Sequence, residues 1–428
     1  MTEYKWQGWG FFPLFISKQA FAKIVSDEKW QHWTEDLTVD EIKDKRRFYS
    51  RSCADLLRPI ESGRYVISQD SDTKPLFSLS LPSKNEDDEK VINITQLQLL
   101  ALGEVSLLYI HFDSPLTFTE SDISNLNKTV FQWEPRTEKH KVSQWLSAED
   151  KIQGLKQHIS ELLDIPLEQD SHYEEDTFGH ELVNCTWIKQ INGFEDDKSI
   201  CVSELSAGIN CNDPRYKLSK TEKQRLVDSQ FDYWADWRCQ FNLNRLVFVD
   251  QTPEESSLKW NLSNNHYYLD LFAAVIYQRT ILNRFKDEMM LCSNKQRGEL
   301  YERISNFRRQ YKITHISTYP FAERLYQYFC EQADLSSIED KTFIELEHNH
   351  ALWKQEREES TNTVLLLVSL VAALLVPASS IATIMALSDD QMTSVYWILS
   401  GFITLVTIVV MVWPPFKRYL KDRKLEKL

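Results

Sequence analysis

The sequence lacks the motifs that identify the common classes of enzyme. It contains no glycine-rich phosphate loop, no GxSxG motif and no HExxH motif. It also lacks an excess of basic residues, because 49 lysines and arginines face 63 aspartates and glutamates and give a net charge of −14. Proteins that bind nucleic acid directly present a basic face. We therefore expect a protein that is not an enzyme and does not bind nucleic acid directly, although a local basic pocket for a small anion stays open.

Cysteines at CxxC spacing are missing as well, and the first residues do not show the pattern of a signal peptide. The seven cysteines are odd in number and none has CxxC spacing, which argues against a zinc site and a disulfide framework. Scattered thiols of this kind are typical of a reducing cytosol. The first residues, MTEYKWQGWGFF, contain no basic segment followed by an apolar core, so we predict no signal peptide.

Two uncharged runs near the C-terminus contrast with this polar background. The first covers residues 363–387 and the second covers 392–416, with a short acidic turn between them. As a helix, the first run would be about 37 Å long, which exceeds the hydrocarbon core of about 30 Å. We predict transmembrane helices at 363–387 and 392–415, and a buried hairpin in a soluble core is the alternative.

The charges beside the two runs predict their orientation. Lysines and arginines follow the second run in a basic tail over residues 416–428, whereas the turn carries Asp389 and Asp390 and no basic residue. The positive-inside rule then places both termini in the cytoplasm and the two aspartates at an external mouth. We therefore expect a multi-pass protein of the inner (cytoplasmic) membrane with a large cytoplasmic region.

The region before the runs mixes strand-like and helix-like segments. This mixture predicts an α+β protein, with a cytoplasmic α/β sensor domain over residues 1–262 and a helical region with a stalk over 263–362. Strands are predicted at 64–68, 75–81, 91–95, 106–112, 185–190, 199–204 and 246–250. Helices are predicted at 142–163, 219–237, 264–291, 294–312 and 319–332.

A last cytoplasmic helix is predicted to lead into the first run. Ser336 resembles a helix N-cap followed by early carboxylates, and from there to Leu387 the sequence contains no glycine and only one proline, Pro377. This pattern predicts a stalk helix continuous with the first transmembrane helix and about 75 Å long. A break near residues 358–362 is the alternative.

One face of the first run holds most of its small and polar residues. Its members lie three or four positions apart, as one face of a helix requires: Asn362, Leu365, Ser369, Ala372, Val376, Ser379 and Thr383. In lipid, such a face packs against another helix or lines a pore on an oligomer axis, and the periodicity leaves both interpretations open. On the second interpretation, these residues and Ser388 line the pore, and the mouth holds Asp389 and Asp390.

This C-terminal organisation resembles the CorA family of magnesium channels. A long cytoplasmic helix that enters the first of two spans, a short external turn and a basic tail are shared over roughly residues 264–428. Pro377 followed by Ile381-Ala382 is similar to the family's first span, but Ala386-Leu387-Ser388 stands where the family has Gly-Met-Asn. The resemblance implies a homo-oligomer in a lipid bilayer, a pentamer by the family's example, with Mg²⁺ or another cation as the permeant ion.

The absence of the Gly-Met-Asn signature limits the resemblance to a smaller group of CorA-like proteins. Selection of hydrated magnesium needs ordered oxygen partners, and Ser388 offers one hydroxyl, so we expect a cation pathway of weak selectivity. In this respect the chain is similar to the CorA-like membrane effectors associated with type III CRISPR systems. That resemblance implies gating by a cytoplasmic nucleotide second messenger, such as a SAM–AMP conjugate, in antiviral defence.

Two stretches combine arginines with aromatic side chains, as a site for an anionic nucleotide requires. DKRRFYSR contributes Arg46, Arg47 and Arg51, and FDYWADWRCQFNLNR contributes Trp234, Trp237 and Arg238. The last three would share one face if the second stretch were helical. Tryptophans in the core and arginines on a solvated surface are the alternative for each stretch.

Three functions are compatible with these patterns. The first is an oligomeric membrane effector channel gated by a small nucleotide. The second is a housekeeping transporter of magnesium or another divalent cation. The third is a membrane-tethered binding protein with no pore.

Overall fold

A computed structural model describes most of the chain. The described residues are 3–68, 75–81, 90–134, 142–165, 180–191, 202–209, 217–252, 257–292, 296–310 and 312–387, with isolated positions at 167, 398, 401–402 and 405. The chain forms two compact units. The first consists of residues 1–292 and 299–344, and the second of residues 293–298 and 345–428.

The first unit contains a large mixed β-sheet. Within the described residues it has twelve strands: β1 (Tyr4–Leu14), β2 (Gln31–His32), β3 (Arg64–Ser68), β4 (Phe77–Leu81), β5 (Lys90–Leu102), β6 (Val105–Asp113), β7 (Gln144–Ser147), β8 (Ile152–Gly154), β9 (Val183–Gln190), β10 (Phe231–Trp234), β11 (Trp237–Asn242) and β12 (Arg245–Asp250). Their order is β10-β11-β12-β9-β1-β6-β5-β4-β7-β8, and β2 pairs with β3, which pairs with β5. Among these twelve strands, β9 and β12 alone pair in parallel.

The helices of the described chain are mostly short before residue 260 and longer after it. They are α1 (Lys18–Val25), α2 (Val39–Arg47), α3 (Arg51–Leu57), α4 (Glu120–Val130), α5 (Leu155–Leu163), α6 (Val202–Ser206), α7 (Lys220–Asp228), α8 (Ser257–Ser263), α9 (Tyr267–Leu291), α10 (Arg297–Gln310), α11 (Pro320–Gln332) and α12 (Leu335–Leu387). The protein is therefore α+β.

Strand β1 is buried on both faces of the sheet. On one face the Trp6 indole donates a hydrogen bond to Asn127 of α4 (3.0 Å). On the other face the ring of Phe11 packs edge-on against Phe272 of α9, with 5.3 Å between ring centroids. Alternate residues of a strand point to opposite faces, so helices cover the sheet on both sides and β1 lies in the core.

Strand β5 is long enough to pair with two strands on its outer side. Its first half pairs with β4 and its second half with β3, while β6 runs along its other side. The register shifts between Ile94 and Gln96, where β4 gives way to β3. The sheet branches at this point, and β3 lies beside the cavity described below.

Helix α9 is buried for much of its length. Consecutive residues from Tyr268 to Gln278 are all shielded from solvent, which is typical of a helix surrounded by protein on every side. The only charged side chain in this stretch is Asp270, which has no solvent exposure. A buried carboxylate requires cationic or hydrogen-bonding partners, and these partners define the candidate site.

The prediction of two transmembrane helices is wrong. Among the residues that the structure describes, no helix combines the length and the apolar character needed to cross a membrane. The predicted multi-pass membrane location, the ion channel and the bilayer-spanning continuation of the stalk are therefore not supported. Helix α12 does run without a break through residues 358–362 to Leu387, as the scarcity of helix breakers predicts. The predicted second span, 392–415, lies almost wholly outside the described residues.

Several shorter predictions are confirmed and others are wrong. Helices occur as predicted within 264–291, 294–312 and 319–332. The predicted helix 142–163 is wrong over its first half, where β7 and β8 form a hairpin in which Asp150 adopts a left-handed backbone conformation (φ 62°). Asp tolerates this conformation better than most residues.

Candidate functional site: a basic cavity beside helix α9

A cavity of about 210 Å³ lies where β2, β3 and β5 meet the start of α9. Cationic side chains predominate in its wall, because Lys45, Arg58 and Arg64 line it and Asp36 is the one carboxylate among the described lining residues. Two histidines, His32 and His266, and several amide side chains complete the polar wall. A positive cavity in a chain of net charge −14 indicates a site for an anion.

Short local elements hold the three cations in place. Helix α2 starts with a capping box, in which Thr38 and Glu41 satisfy each other's backbone N–H groups, and it carries Lys45 in its last turn. Arg58 follows directly after α3, and Arg64 is the first residue of β3. Three different elements therefore deliver positive charge to one cavity.

Asp270 anchors the two arginines from behind the cavity. Arg64 Nη1 donates to both carboxylate oxygens of Asp270 (2.9 and 3.0 Å), and Arg58 Nε donates to Oδ2 (2.9 Å). The Tyr49 hydroxyl donates to the same Oδ2 (2.7 Å). Burial and the adjacent Asp270 raise the pKa values of Tyr49 and Tyr109, so both phenols stay protonated and can donate to the carboxylate.

Gln98 fixes the protonation state of His266. The Gln98 carbonyl oxygen accepts hydrogen bonds from Arg64 Nε and Nη2 (3.2 and 2.7 Å), so its amide nitrogen faces His266 Nε2 at 3.0 Å. An amide nitrogen can only donate, which requires an unprotonated Nε2. Burial, followed by the charges of Arg64 and Arg58, lowers the pKa of His266 well below its usual value. His266 is therefore neutral at pH 7.

Lys45 and His32 are incompletely paired. Lys45 is half-buried and makes no hydrogen bond or ion pair with the described residues, and its pKa is lowered by burial and by the charges of Arg58 and Arg64. His32 Nδ1 bonds to the Thr34 hydroxyl (2.7 Å), while its Nε2 is shielded from solvent and lacks a partner. The unpaired ammonium of Lys45 in a positive wall favours an anionic ligand.

Trp33 gives the cavity an aromatic side. Its indole N–H donates to the Pro59 carbonyl (2.6 Å), which fixes the ring. The Arg58 guanidinium lies over this ring at 5.3 Å from the centroid, a cation–π contact. Arg58 is thus held by a carboxylate on one side and an aromatic ring on the other.

The first predicted ligand stretch lies next to the cavity, but its named arginines do not line it. Arg46 bonds to the Ala54 carbonyl (3.0 Å), to the Arg58 carbonyl and to Asp55. Arg47 is exposed and pairs with Asp44, and Arg51 is exposed. Arg46 therefore secures the α2–α3 connection, while its neighbour Lys45 lines the cavity.

The second predicted stretch forms a hairpin instead of a helix. Helix α7 ends at Asp228, and Trp234 pairs with Trp237 across the β10–β11 turn. Trp234 is 47% exposed and Trp237 is 5% exposed. Arg238 is half-buried in β11. None of these three residues lines the cavity, and the structure does not join the two predicted stretches into one ligand site.

The residues predicted to line a pore lie in and beyond α12. Asn362, Leu365, Ser369 and Ala372 are exposed on the helix. The side chains of Val376, Ser379 and Thr383 lie outside the described part of the structure, as do Ser388, Asp389 and Asp390. Their assignment to a pore stays a prediction that the structure does not test.

The sequence contained a signal for the cavity that motif reasoning missed. Asp270 interrupts the apolar run YYLDLFAAVIY, and a carboxylate in such a run must find a buried partner. Arg64 likewise opens the strand RYVIS. The residues missed were Lys45, Arg58, Arg64, His32 and His266. Their convergence depends on pairing between distant segments, which no local pattern specifies.

Neither a metal site nor a known relative accounts for the cavity. In the described part of the chain, no three His, Cys, Asp or Glu side chains lie close enough together to hold a metal ion. Comparison with protein-family models, with curated proteins and with solved structures gives no match.

Proposed function

We propose that this protein binds a small anionic ligand of the nucleotide class, and that the phosphate of the ligand enters the basic cavity beside α9. The observation that carries the proposal is the convergence of Lys45, Arg58 and Arg64 on one cavity, with Asp270 balancing only part of their charge. Charge-assisted hydrogen bonds from Arg and Lys are the usual means of holding phosphate. The ligand acts as a signal in this proposal.

Lys45 is the side chain through which the proposal is best tested. It is half-buried, it has no partner among the described residues, and its removal leaves the Asp270 network intact. We expect Lys45→Ala to weaken nucleotide binding about 10- to 100-fold, because one hydrogen bond to a charged group contributes about 1.5–3 kcal/mol. Isothermal titration calorimetry of the full chain with ribonucleoside mono- and triphosphates measures this change.

Lys43→Ala is the matched control. Lys43 lies on the same helix but is exposed and pairs with Asp40 (3.3 Å). We expect this variant to bind as the unmodified protein does, with less than about a twofold change, because exposed pairs contribute little. Equal losses in both variants would show a diffuse surface effect. Absence of any nucleotide binding to the unmodified chain at millimolar concentration would refute the proposal.

A further inference from the structure

Lys45 differs from the other cations of the cavity because no described residue holds its amine. Arg58 and Arg64 both donate hydrogen bonds to Asp270. Glu41 lies one turn before Lys45 on α2, but its carboxylate accepts two hydrogen bonds in the capping box of that helix (2.8 and 2.7 Å). The amine of Lys45 is therefore available to a molecule that enters the cavity.

Two nitrogen atoms of the cavity wall are both unpaired and accessible. Arg58 uses Nε and Nη2 to contact Asp270 and the Asn265 carbonyl, so its Nη1 makes no hydrogen bond with the described residues. His32 Nε2 is unpaired too, but it is shielded from solvent, whereas Arg58 Nη1 and Lys45 Nζ are not. A ligand can therefore contact an amine and a guanidinium N–H within one cavity.

The surroundings of Lys45 favour its unprotonated form. Burial lowers the pKa of the amine, and the charges of the two arginines lower it further and outweigh those of Asp270 and Glu41. Asp36 also lines the cavity, but it is exposed and forms no ion pair with Lys45, so solvent screens its charge. A lysine that is desolvated beside other cations is activated as a nucleophile towards a carbonyl carbon.

The size of the cavity limits the reactant to a small molecule. Pockets that bury a whole drug-sized molecule measure about 300–1,000 Å³, and this cavity measures about 210 Å³. A compound of a few non-hydrogen atoms fits such a space. A negatively charged group on that compound would accept a charge-assisted hydrogen bond from Arg58 Nη1, and its carbonyl carbon would lie towards Lys45.

We propose that Lys45 forms a reversible imine with a small aldehyde or ketone whose negatively charged group binds Arg58. The neutral amine attacks the carbonyl carbon and a C–N bond forms. The carbonyl oxygen then leaves as water with both protons of the amine, so that C=N replaces C=O and no atom is oxidised or reduced. This inference goes beyond the proposed function, because the protonated form of Lys45 binds an anion and only the neutral form reacts.

The test traps the imine by reduction. The full chain is incubated near neutral pH with glyoxylate and sodium cyanoborohydride, which reduces an imine to a stable amine and leaves a carboxymethyl group on the lysine. Peptide mass spectrometry follows the modified fraction of Lys45 and of Lys43, the exposed control on the same helix. We expect Lys45 to react about tenfold or more faster, since each unit by which a pKa falls increases the unprotonated fraction about tenfold.

Acetaldehyde tests the role of the negative charge, because it offers the same carbonyl chemistry without a carboxylate. We expect the ratio of the glyoxylate rate to the acetaldehyde rate to be about tenfold higher at Lys45 than at Lys43, since Arg58 lies beside Lys45 alone. Arg58→Lys keeps a cation next to Asp270 and removes Nη1, so it should lower this ratio towards that of Lys43. The ratio in the unmodified protein decides the question even where the variant does not fold.

Each result bears on one proposal only. Equal glyoxylate rates at Lys45 and Lys43 would overturn the inference, and so would equal ratios of the two reagents. Either result would leave nucleotide binding standing, because that binding depends on charge and is measured by calorimetry. Selective modification of Lys45 without any nucleotide binding would support the inference and refute the proposed function.

Discussion

Asp270 is the carboxylate on which the inner side of the cavity depends. Arg58 and Arg64 are both buried, and each pairs with it. Removal of one member of a buried ionic network leaves the remaining charges without compensation, which costs much more than the network contributes as a whole. The three residues therefore form one structural unit.

We expect Asp270→Asn to lower the free energy of unfolding by about 3–5 kcal/mol. The substituted amide keeps the shape of the side chain but leaves two buried guanidinium groups without a counter-ion. Urea unfolding followed by circular dichroism measures the change. Asp40→Asn is the control, because Asp40 is 91% exposed in its pair with Lys43, and we expect a change within about 0.5 kcal/mol. Similar losses at the two positions would contradict the role given to Asp270.

His266 makes the stability of the protein depend on pH. Its folded-state pKa lies well below the ordinary value of 6.5, first because of burial and then because of Arg64, Arg58, His111 and Lys45. Below pH 6.5 the unfolded chain binds a proton at this histidine and the folded chain does not. The stabilisation is therefore complete above pH 6.5 and is lost as the pH falls.

The matched variant is His266→Asn. Asn tolerates the left-handed backbone conformation found at residue 266 (φ 57°), and it does not titrate. Between pH 7 and pH 5 we expect the variant to lose about 2 kcal/mol less stability than the unmodified chain, at 1.36 kcal/mol per pKa unit. Urea midpoints at both pH values give the comparison. Equal losses in the two proteins would show that His266 is not the titrating group.

At the scale of residues, the sequence prediction came close to the cavity in one stretch. DKRRFYSR contains Lys45, but the prediction named the arginines of this stretch as phosphate ligands and did not name Lys45. The positions of these side chains distinguish them from Lys45. Arg47 and Arg51 are exposed, and Arg46 donates hydrogen bonds to carbonyl groups of its own segment. A residue's freedom to bind a ligand depends on tertiary partners, which a sequence does not state.

At the scale of elements, strand β1 shows why the centre of the sheet was not predicted. Its sequence YKWQGWGFFPL has almost every residue buried, so the alternation of apolar and polar residues that marks a half-exposed strand is missing. By contrast, β3 is bounded by polar residues and was predicted at 64–68. The predicted strand 199–204 is wrong in its described part, which belongs to helix α6.

Glycines in β1 allow large rings to pack against the strand. A Cβ atom at Gly8 would lie 2.7 Å from Phe131 Cζ and 2.8 Å from the Trp6 ring. Both rings are buried and cannot move freely. The small residue at this position is therefore a requirement of packing between β1 and the α4 side of the sheet.

Gly8→Ser tests this packing. We expect the serine to lower the free energy of unfolding by about 1–3 kcal/mol through overpacking. The same substitution at Gly154 is the control, since a Cβ there meets nothing within 4 Å and serine is a preferred N-cap for α5. Urea unfolding of both variants gives the comparison, and a Gly8→Ser protein as stable as Gly154→Ser would show that the rings can yield.

At the scale of the whole molecule, charge and connectivity were predictable to different degrees. The net charge of −14 does not exclude a local cluster of cationic side chains such as the one that lines the cavity. The sheet order, in which β9 lies between β1 and β12, joins segments far apart in the chain, and hydrophobic patterns carry no information about such pairings. The apolar run at 363–387 likewise predicted a helix, but its interpretation as a membrane span was wrong.

The cavity joins parts of the chain that are synthesised far apart in time. The bonds from Tyr49, Arg58 and Arg64 to Asp270 span 221, 212 and 206 positions of the sequence. While α9 is still inside the ribosome, the emerged part of the nascent chain contains both arginines but not the Asp270 carboxylate. If the cavity binds an anion as we propose, binding begins only once roughly the first two thirds of the protein have emerged. A ligand present during translation would then stabilise finished folds over unfinished ones.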